Sequence, residues 1–357
     1  MRSPWRALAI AALLAAQAGC SSVGPATVPR DRFDYVAAIS DSWKRQMLQN
    51  LLKVRYADAP VFMDVTSVIN AYSFAGQLDA AAQYAPPDRG DFFYGIGGNV
   101  AYADRPTITY APLSGERFSR SLMTPLPISG VLYLLQSGFP ADLTLRVCVS
   151  SINGLDNAYG GRGNAHDGEL QFAELMAAMR RSQRSRGLGI RQKSPLDRES
   201  ALLTLRDTDA AAAQANRRIR ELLGLDPKTE VFEVVYGAFA IQPGQIALLS
   251  RSTLQVMADL ASTIDVPDAD VAEGRVDEPR RDAEQTRLFP PLMRVRSGET
   301  PPPDAYVAVR YRGRSFWIDD RDLQSKSSMS FLMLLFSLAE TGSAPGSGAP
   351  LVTVPAR

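Results

Sequence analysis

The first nineteen residues constrain this chain most, because they are not built to join a folded domain. Arg2 and Arg6 precede an unbroken run of ten apolar residues, Ala7–Ala16. A basic start, a short apolar run and small residues before a break are typical of a secretory signal peptide. A membrane-spanning helix needs about 20 apolar residues. We therefore expect residues 1–19 to direct export and be removed, so that the fold is built from the remainder.

The cysteine that follows this segment suggests how the exported chain is anchored to a membrane. Ala18-Gly19-Cys20 resembles the lipobox of bacterial lipoproteins, although Gln17 stands where that family usually has an aliphatic residue. The resemblance implies that the Cys20 thiol is acylated and becomes the new N-terminus. Ser21, rather than Asp, implies by resemblance to Gram-negative sorting that the anchor lies at the periplasmic face of the outer membrane. The alternative is a plain signal peptide with an incidental cysteine.

Charge and composition narrow the classes of protein. Removing residues 1–19 takes away two of the 39 basic residues, which leaves 37 against 38 acidic ones and a net charge of −1. We therefore expect no nucleic-acid partner, and anchoring by acyl chains rather than by charge. Two cysteines and one histidine exclude a disulfide scaffold, a Cys-rich zinc module and a multi-His metal site. No metal and no cofactor are predicted.

Hydrophobic patterning predicts an α+β fold of mixed helices and short antiparallel strands, ending in a β-hairpin followed by a buried helix. An apolar stripe with helical spacing predicts a helix over residues 33–56. Residues 92–103 and 105–110 favour strands in a hairpin that turns at Ala103-Asp104, and residues 143–149 favour another strand. Arg312-Gly313 separates two further strands, and Met329–Leu338 is apolar on nearly all sides, as in a buried helix.

Composition shifts divide the chain into seven segments. They are a signal peptide (1–19), a lipidated linker (20–32), an N-terminal α+β lobe (33–186), a second α/β lobe (187–266), a charged Pro-rich surface excursion (267–303), a hairpin-helix unit (304–340) and a disordered tail (341–357).

Several sequence stretches spread along the mature chain resemble an uncharacterised group of proteobacterial envelope lipoproteins. The resemblance implies an envelope protein with an envelope protein partner, and it carries no catalytic residues with it. The stretches are Arg32-Phe33-Asp34-Tyr35, Asp41-Ser42-Trp43-Lys44, residues 55–60, residues 136–142 and the segment from Tyr311-Arg312-Gly313 to Leu338.

Two residues are candidates for chemistry. His166 lies beside Asp167 and Glu169 in a loop, where a His-carboxylate pair would serve as a general base or half a metal site; the alternative is a surface histidine. Cys148 lies among apolar residues. A buried, inert thiol is expected, with a nucleophile or an intermolecular disulfide as alternatives.

A basic cluster is the most prominent surface feature of the predicted mature chain. It would contact phosphates or an acidic partner, or else be a solvated helix end. Its six members fall within fourteen residues and are Arg180, Arg181, Arg184, Arg186, Arg191 and Lys193.

Two further patterns have structural explanations. The glycine-rich stretch Tyr94–Asn99 lacks the third glycine and the Lys-Ser/Thr ending of phosphate loops, which favours strand glycines. Asp319, Asp320 and Asp322 lack the spacing of a calcium loop, which favours helix capping by Asp322.

Two functions remain open. The first is a non-enzymatic binding or assembly component of the cell envelope, because no catalytic set is recognisable. The second is a lipid-anchored periplasmic hydrolase that uses carboxylates, with His166, Asp167 and Glu169 as the first residues to test.

Overall fold

A computed structural model describes residues 28–69, 72–84, 92–104, 107–113, 115–161, 164–192, 200–278, 282–340 and 352–355. The chain forms two compact units: residues 1–60 with 116–342, here called the body, and residues 61–115 with 343–357, here called the hairpin unit. The predicted α+β class is confirmed. Cys20 and Lys193 lie outside the described residues.

The body begins with helix α1, Val28–Arg55, which starts earlier than the stripe predicts. Its apolar residues pack only in the C-terminal half, where Met47, Leu48, Leu51 and Leu52 are buried. Towards the N-terminus the same stripe is exposed, as Phe33 shows at 75% exposure. The helix is therefore held by its second half.

Residues 61–115 of the hairpin unit contribute the strands β1 (Phe62–Ile69), β2 (Tyr72–Tyr84), β3 (Phe92–Asp104) and β4 (Thr107–Leu113). Strand β1 pairs with β4, and β2 pairs with β3, both antiparallel. Ile69 pairs with Thr107 and Tyr72 pairs with Asp104, so two residues on each side lie between the two pairs. The facing ends of the two ladders therefore keep the same register, whereas the β1–β4 ladder shifts register between Val65 and Ser67.

The predicted hairpin turn at Ala103-Asp104 is wrong. Strand β3 continues to Asp104 and pairs with β2, not with the strand that follows it. The alanine-rich stretch Ala80–Ala82 has low β-propensity, which hides β2 in the sequence. Cross-strand pairing with Tyr94–Ile96 decides its conformation instead.

The body resumes with helices α2 (Glu116–Met123), α3 (Ile128–Gln136) and α4 (Ala141–Cys148). The strand predicted over residues 143–149 is therefore wrong for all but Val149, which begins strand β5. Pro140 precedes α4 with a φ of −56°, and Ala141, Leu145 and Cys148 are buried at helical spacing. A proline start and helical periodicity outweigh the apparent alternation.

A six-stranded mixed sheet forms the centre of the body. Its elements in chain order are β5 (Val149–Ile152), β6 (Leu155–Asp156), α5 (Leu170–Arg184), β7 (Leu188–Gln192), β8 (Ser200–Leu205), α6 (Ala210–Leu223), β9 (Val231–Tyr236), β10 (Gln245–Ser250) and the helix that follows, α7 (Thr253–Ser262). The strand order in the sheet is β6-β5-β10-β9-β8-β7, with β9 and β10 parallel and the other pairs antiparallel.

The predicted boundary between residues 186 and 187 is not a boundary in the structure. Strands β5 and β6 come from the predicted first lobe and join the same sheet as strands from the second. The glycine-rich loop after β6 and the basic stretch before β7 changed the local composition without ending the fold. Both predicted lobes therefore contribute strands to one sheet of the body.

The segment predicted as a surface excursion, 267–303, is also part of the body. It contains helix α8 (Asp268–Ala272), helix α9 (Ala283–Leu288) and strand β11 (Arg296–Gly298). Val276, Phe289, Met293 and Val295 are buried. These few apolar residues, which lie among charged residues and prolines in the sequence, attach the segment to the rest of the body.

The closing hairpin and helix match the prediction. Strands β12 (Ala305–Tyr311) and β13 (Arg314–Asp319) are antiparallel, and β11 joins β13. Arg312 and Gly313 have φ values of 47° and 81°, as the tight turn requires. Helix α10 (Leu323–Glu340) buries Met329, Phe331, Leu332, Leu335 and Phe336.

The tail predicted as disordered contains a short strand, which corrects the prediction for four of its residues. Strand β14, Val352–Pro355, pairs antiparallel with β4 in the hairpin unit. Val352 and Val354 supply the β-branched residues that favour a strand.

Candidate functional site

A cleft of about 730 Å³ is the candidate site in the body. The loop after β6 contributes Tyr159, His166 and Asp167, and α7 contributes Asp259. The remaining wall comes from the end of α1, from residues 277–278, and from α9 with the residues beside it. Elements that lie far apart in the sequence of the body therefore meet at one opening.

The loop is held in place by backbone pairing and by a buried asparagine. The Tyr159 N–H donates to the His166 carbonyl at 3.0 Å, and the His166 N–H donates to the Tyr159 carbonyl at 2.9 Å. Asn157 donates through Nδ2 to the carbonyls of Val149 and Arg146 at 2.6 and 3.0 Å. A polar side chain buried with two partners fixes a loop that has little apolar content.

The inner wall contains a buried ion cluster, here called the Asp259 cluster and made of Arg146, Arg251 and Asp259. Asp259 Oδ2 accepts from Arg146 Nη1 at 3.1 Å and from Arg251 Nη1 at 3.0 Å. The side chain of Arg251 is 1% exposed and that of Asp259 is 7% exposed. One carboxylate thus faces two guanidinium groups away from water.

A close backbone approach completes the surroundings of this carboxylate. The Gly160 N–H donates to Asp259 Oδ1 at 2.7 Å. A Cβ at position 160 would collide with the side chain of Ser262, so a glycine is needed for this approach. Both oxygens of Asp259 are therefore occupied within the protein.

The two arginines have further partners, which offset the cost of burying a second positive charge. Arg251 Nη2 donates to the Ala158 carbonyl at 2.6 Å, and Arg146 Nη1 donates to the same oxygen at 3.1 Å. The rings of Phe289 and Tyr159 lie 5.3 and 5.2 Å from the guanidinium carbons of Arg146 and Arg251, which adds cation–π attraction. Burial lowers the pKa of Arg146, and the Asp259 charge opposes that shift.

The predicted trio of His166, Asp167 and Glu169 is only partly brought together. His166 and Asp167 line the cleft, and His166 Nδ1 lies 3.3 Å from the backbone oxygen of Asp167. Glu169 lies at the N-cap of α5 and is not among the cleft-lining residues. The loop therefore presents one histidine and one of its two neighbouring carboxylates to the cleft.

Cys148 is buried, as predicted, although in a helix rather than a strand. It is the last residue of α4 and is fully buried. Burial raises the pKa of its thiol to about 12. Because the thiolate is the reactive form, this cysteine is inert in the folded body.

The described members of the predicted basic cluster have different surroundings. Arg180 donates to Gln183 at 2.8 Å and lies 3.6 Å from Asp142, so it helps to fasten α5 to α4. Arg181 faces a shallow notch between α5 and α6, which also contains acidic and basic residues of both helices. Arg184, Arg186 and Arg191 are exposed. Arg180 is therefore engaged within the body, whereas Arg184, Arg186 and Arg191 are accessible to solvent.

The aspartates after β13 have local partners. Asp319 lies 3.5 Å from Arg296, Asp320 accepts from Lys326 at 2.7 Å, and Asp322 accepts from the Ser325 N–H at 3.0 Å. Among the residues that the structure describes, no group of three or more His, Cys, Asp or Glu residues is arranged to hold a metal ion. The helix-capping interpretation of Asp322 is confirmed.

The sequence did not single out the Asp259 cluster, although one signal was present. Arg146 is the one charged residue in the apolar stretch Leu143–Val149. A lone charge in such a stretch requires a partner in the fold. That partner, Asp259, lies 113 residues further along the chain, and no local pattern indicates it.

Comparison with known proteins adds no relative from which a role could be taken. None of the described helices is both long enough and apolar enough to cross a membrane. No protein-family model matches the chain, and neither a curated protein nor a solved structure matches it.

Proposed function

We propose that this protein is held by lipid on Cys20 at the periplasmic face of the outer membrane, and that it acts there by binding or assembly rather than by catalysis. The N-terminal sequence supports the anchor, because a basic start and a short apolar run lead directly to Ala18-Gly19-Cys20. The polar sequence after Cys20 leads into α1, which begins at Val28, within the linker predicted over residues 20–32, and whose N-terminal half carries few buried side chains.

The arrangement of the cleft supports binding over catalysis. The buried carboxylate of Asp259 is occupied by two guanidinium groups and a backbone N–H. A catalytic acid or base has to reach substrate and exchange a proton with it. Asp259 is instead placed to hold α4, α7 and the loop after β6 together.

The observation that carries the proposal is the hairpin formed by β2 and β3. Thirteen residue pairs join these strands, and among the described residues neither strand has a partner on its outer edge. An isolated two-stranded ladder is marginally stable, and open edges invite pairing with another chain. A hairpin of this length is therefore best explained as a surface that meets a partner.

Site-specific photocrosslinking in intact cells tests this function. A benzophenone residue at Gln77 of β2 should give adducts in the envelope, because that strand is proposed to meet a partner. The matched position is Lys228, an exposed residue in a turn of the body. We expect adducts from position 77 and none from position 228; adducts from neither position, or equally from both, would refute binding through the hairpin.

The anchor is tested by changing its cysteine. Cys20→Ala should release the protein from membranes and abolish fatty-acid labelling, because it removes the acylated thiol. Cys148→Ala is the control, since that cysteine is buried and should leave labelling unchanged. Retained labelling and membrane association in Cys20→Ala would show that the anchor lies elsewhere.

A lipid-anchored hydrolase is the second candidate, and the composition of the cleft favours it. His166 and the carboxylates of Asp167, Asp277, Glu278 and Asp282 line the same opening. His166→Ala and Asp282→Asn would test it on peptidoglycan and ester substrates. If the purified protein hydrolyses either substrate and these changes abolish the reaction, the hydrolase replaces the binding function.

A further inference from the structure

We propose that the β2–β3 hairpin buries one of its two faces in the hydrocarbon of the membrane to which the protein is anchored. The inference rests on the proposed function and names the partner of one face of the hairpin. It starts from the register of the ladder, which assigns each residue to a face.

Alternate residue pairs of a ladder belong to the same face. One set of consecutive alternate pairs contains only aromatic, aliphatic and glycine residues, and we call it the apolar ladder face. Its pairs are Phe74–Tyr102, Gly76–Val100, Leu78–Gly98, Ala80–Ile96, Ala82–Tyr94 and Tyr84–Phe92; the next pair on the same side, Tyr72–Asp104, carries a carboxylate and ends the apolar set.

The intervening pairs make up the opposite face, here called the polar ladder face. They combine amide, acidic and small residues with a single aromatic one. The pairs are Ala75–Ala101, Gln77–Asn99, Asp79–Gly97, Ala81–Gly95 and Gln83–Phe93. A strict alternation of this kind is typical of strands with lipid on one side and a polar environment on the other.

The aromatic residues of the apolar ladder face are concentrated at its two ends. Phe74 and Tyr102 form the last apolar pair at one end, next to Tyr72–Asp104, and Tyr84 pairs with Phe92 at the other end, beside Tyr94. The middle contains Leu, Ile, Val, Ala and Gly. Aromatic rings are favoured at the two membrane–water interfaces, with aliphatic residues between them.

The length of the ladder fits a bilayer. The part of each strand that carries the apolar ladder face, residues 74–84 and 92–102, has 11 residues and measures about 37 Å at roughly 3.4 Å per residue. A tilt of about 45° reduces its span to about 26 Å, which is close to the roughly 25 Å apolar band of membrane-spanning strands. A protein interface would not require this length, and its core would include some hydrogen-bonding groups. Lipid therefore accounts better for the pattern.

The open edges of the hairpin add a requirement. A backbone N–H or C=O without a partner costs several kcal/mol in hydrocarbon. The outer edges of β2 and β3 would therefore have to pair with the same hairpin in neighbouring copies of this chain. The partner met at Gln77 in the crosslinking experiment would then be another copy.

Three consecutive alanines in β2 provide a matched test. Ala80 and Ala82 belong to the apolar ladder face, and Ala81 lies between them on the polar ladder face. Each is changed to cysteine in the full chain, extracted from membranes, labelled with an environment-sensitive fluorophore and reconstituted into phosphatidylethanolamine–phosphatidylglycerol vesicles. Cys148 is buried, so the unchanged protein reports the background.

We expect nitroxide-labelled lipids to quench the fluorophores at positions 80 and 82 severalfold more than the one at 81, and aqueous iodide to show the reverse order. Equal quenching at all three positions would overturn the proposal. Shielding at 80 and 82 in the absence of lipid would also overturn it, because a second copy would then cover the face. The readout does not depend on the anchor, which the Cys20→Ala experiment tests separately.

Discussion

At the scale of single residues, the fold of the body includes charged side chains that are buried away from water. Asp259 binds two arginines from different elements, and its second oxygen binds the backbone of Gly160. The sequence identifies a charge in an apolar stretch, Arg146, but not its partner, because ion pairing across a fold leaves no local periodicity. Cys148 is the reverse case, since its apolar neighbours alone predicted its burial.

Removing the shared carboxylate should be severely destabilising. Asp259→Ala leaves two buried cations without a counter-charge, and loss of one partner of a buried pair costs about 3–5 kcal/mol. Asp268→Ala is the matched change, because Asp268 is exposed at the start of α8. Urea unfolding at neutral pH measures both variants; a difference between them of less than about 1 kcal/mol would contradict the structural role of the cluster.

The remaining cysteine should react only when the body opens. Burial raises the pKa of Cys148 to about 12, so the folded protein at pH 8 has almost no thiolate there. In the Cys20→Ala protein, we expect a chromogenic disulfide reagent to react with one thiol in urea and with none in buffer within the same time. Rapid reaction of the native protein would place the thiol at the surface.

At the scale of elements, sequence patterns succeeded where an element is specified locally and failed where a partner strand decides. The turn at Arg312-Gly313 and the start of α10 at Asp322 follow from local chemistry. Strand β2 does not, because Ala80–Ala82 favour no strand by themselves. Residues 143–149 were predicted as a strand because seven residues are too few to distinguish the periodicity of a helix from that of a strand.

The start of α10 offers a quantitative test of local specification. Asp322 accepts hydrogen bonds from the Ser325 N–H and hydroxyl at 3.0 and 2.7 Å. Asp322→Ala should lower the free energy of unfolding by about 1 kcal/mol, whereas Asp322→Asn should retain most of it. If urea unfolding finds the two variants equally stable, the side chain does not cap the helix.

The same residue gives a dependence on pH. Desolvation acts to raise the pKa of Asp322, but the two hydrogen bonds from Ser325 and the charges of Arg294 and Arg296 together outweigh it and hold the pKa below the ordinary value of 3.8. A lowered pKa in the folded state means that the ionised group stabilises the fold above pH 3.8, and that this contribution is lost as the pH falls through the lowered pKa. The free energy of unfolding that the wild-type protein gains over Asp322→Asn should therefore be constant near neutrality and decrease below pH 4.

At the scale of the whole molecule, the chain combines a body with a central mixed sheet and a hairpin unit with two antiparallel ladders, β1–β4 and β2–β3. The sequence predicted the fold class and the closing hairpin-helix. It did not predict that β1 pairs with β4 across the 37 residues that separate them, because this pairing is non-local. Nor did it predict that residues 267–303 belong to the body, since only a few of their side chains are buried.

The hairpin can be shortened without disturbing its base. Ile69 and Thr107 are paired residues, so Asn-Gly in place of residues 70–106 supplies a two-residue turn and keeps the pairing of β1 with β4. Because the body is a separate compact unit, its urea midpoint should stay unchanged in this variant. The lipid anchor should stay as well.

The central claim, that an anchored protein acts through its hairpin, is tested most directly by crosslinking the envelope of cells that carry either the full-length or the shortened chain. We expect the full-length protein to appear in high-mass complexes of the membrane fraction, and the shortened protein to remain in that fraction as a folded monomer. Complexes of the same size and yield from both proteins would contradict the account.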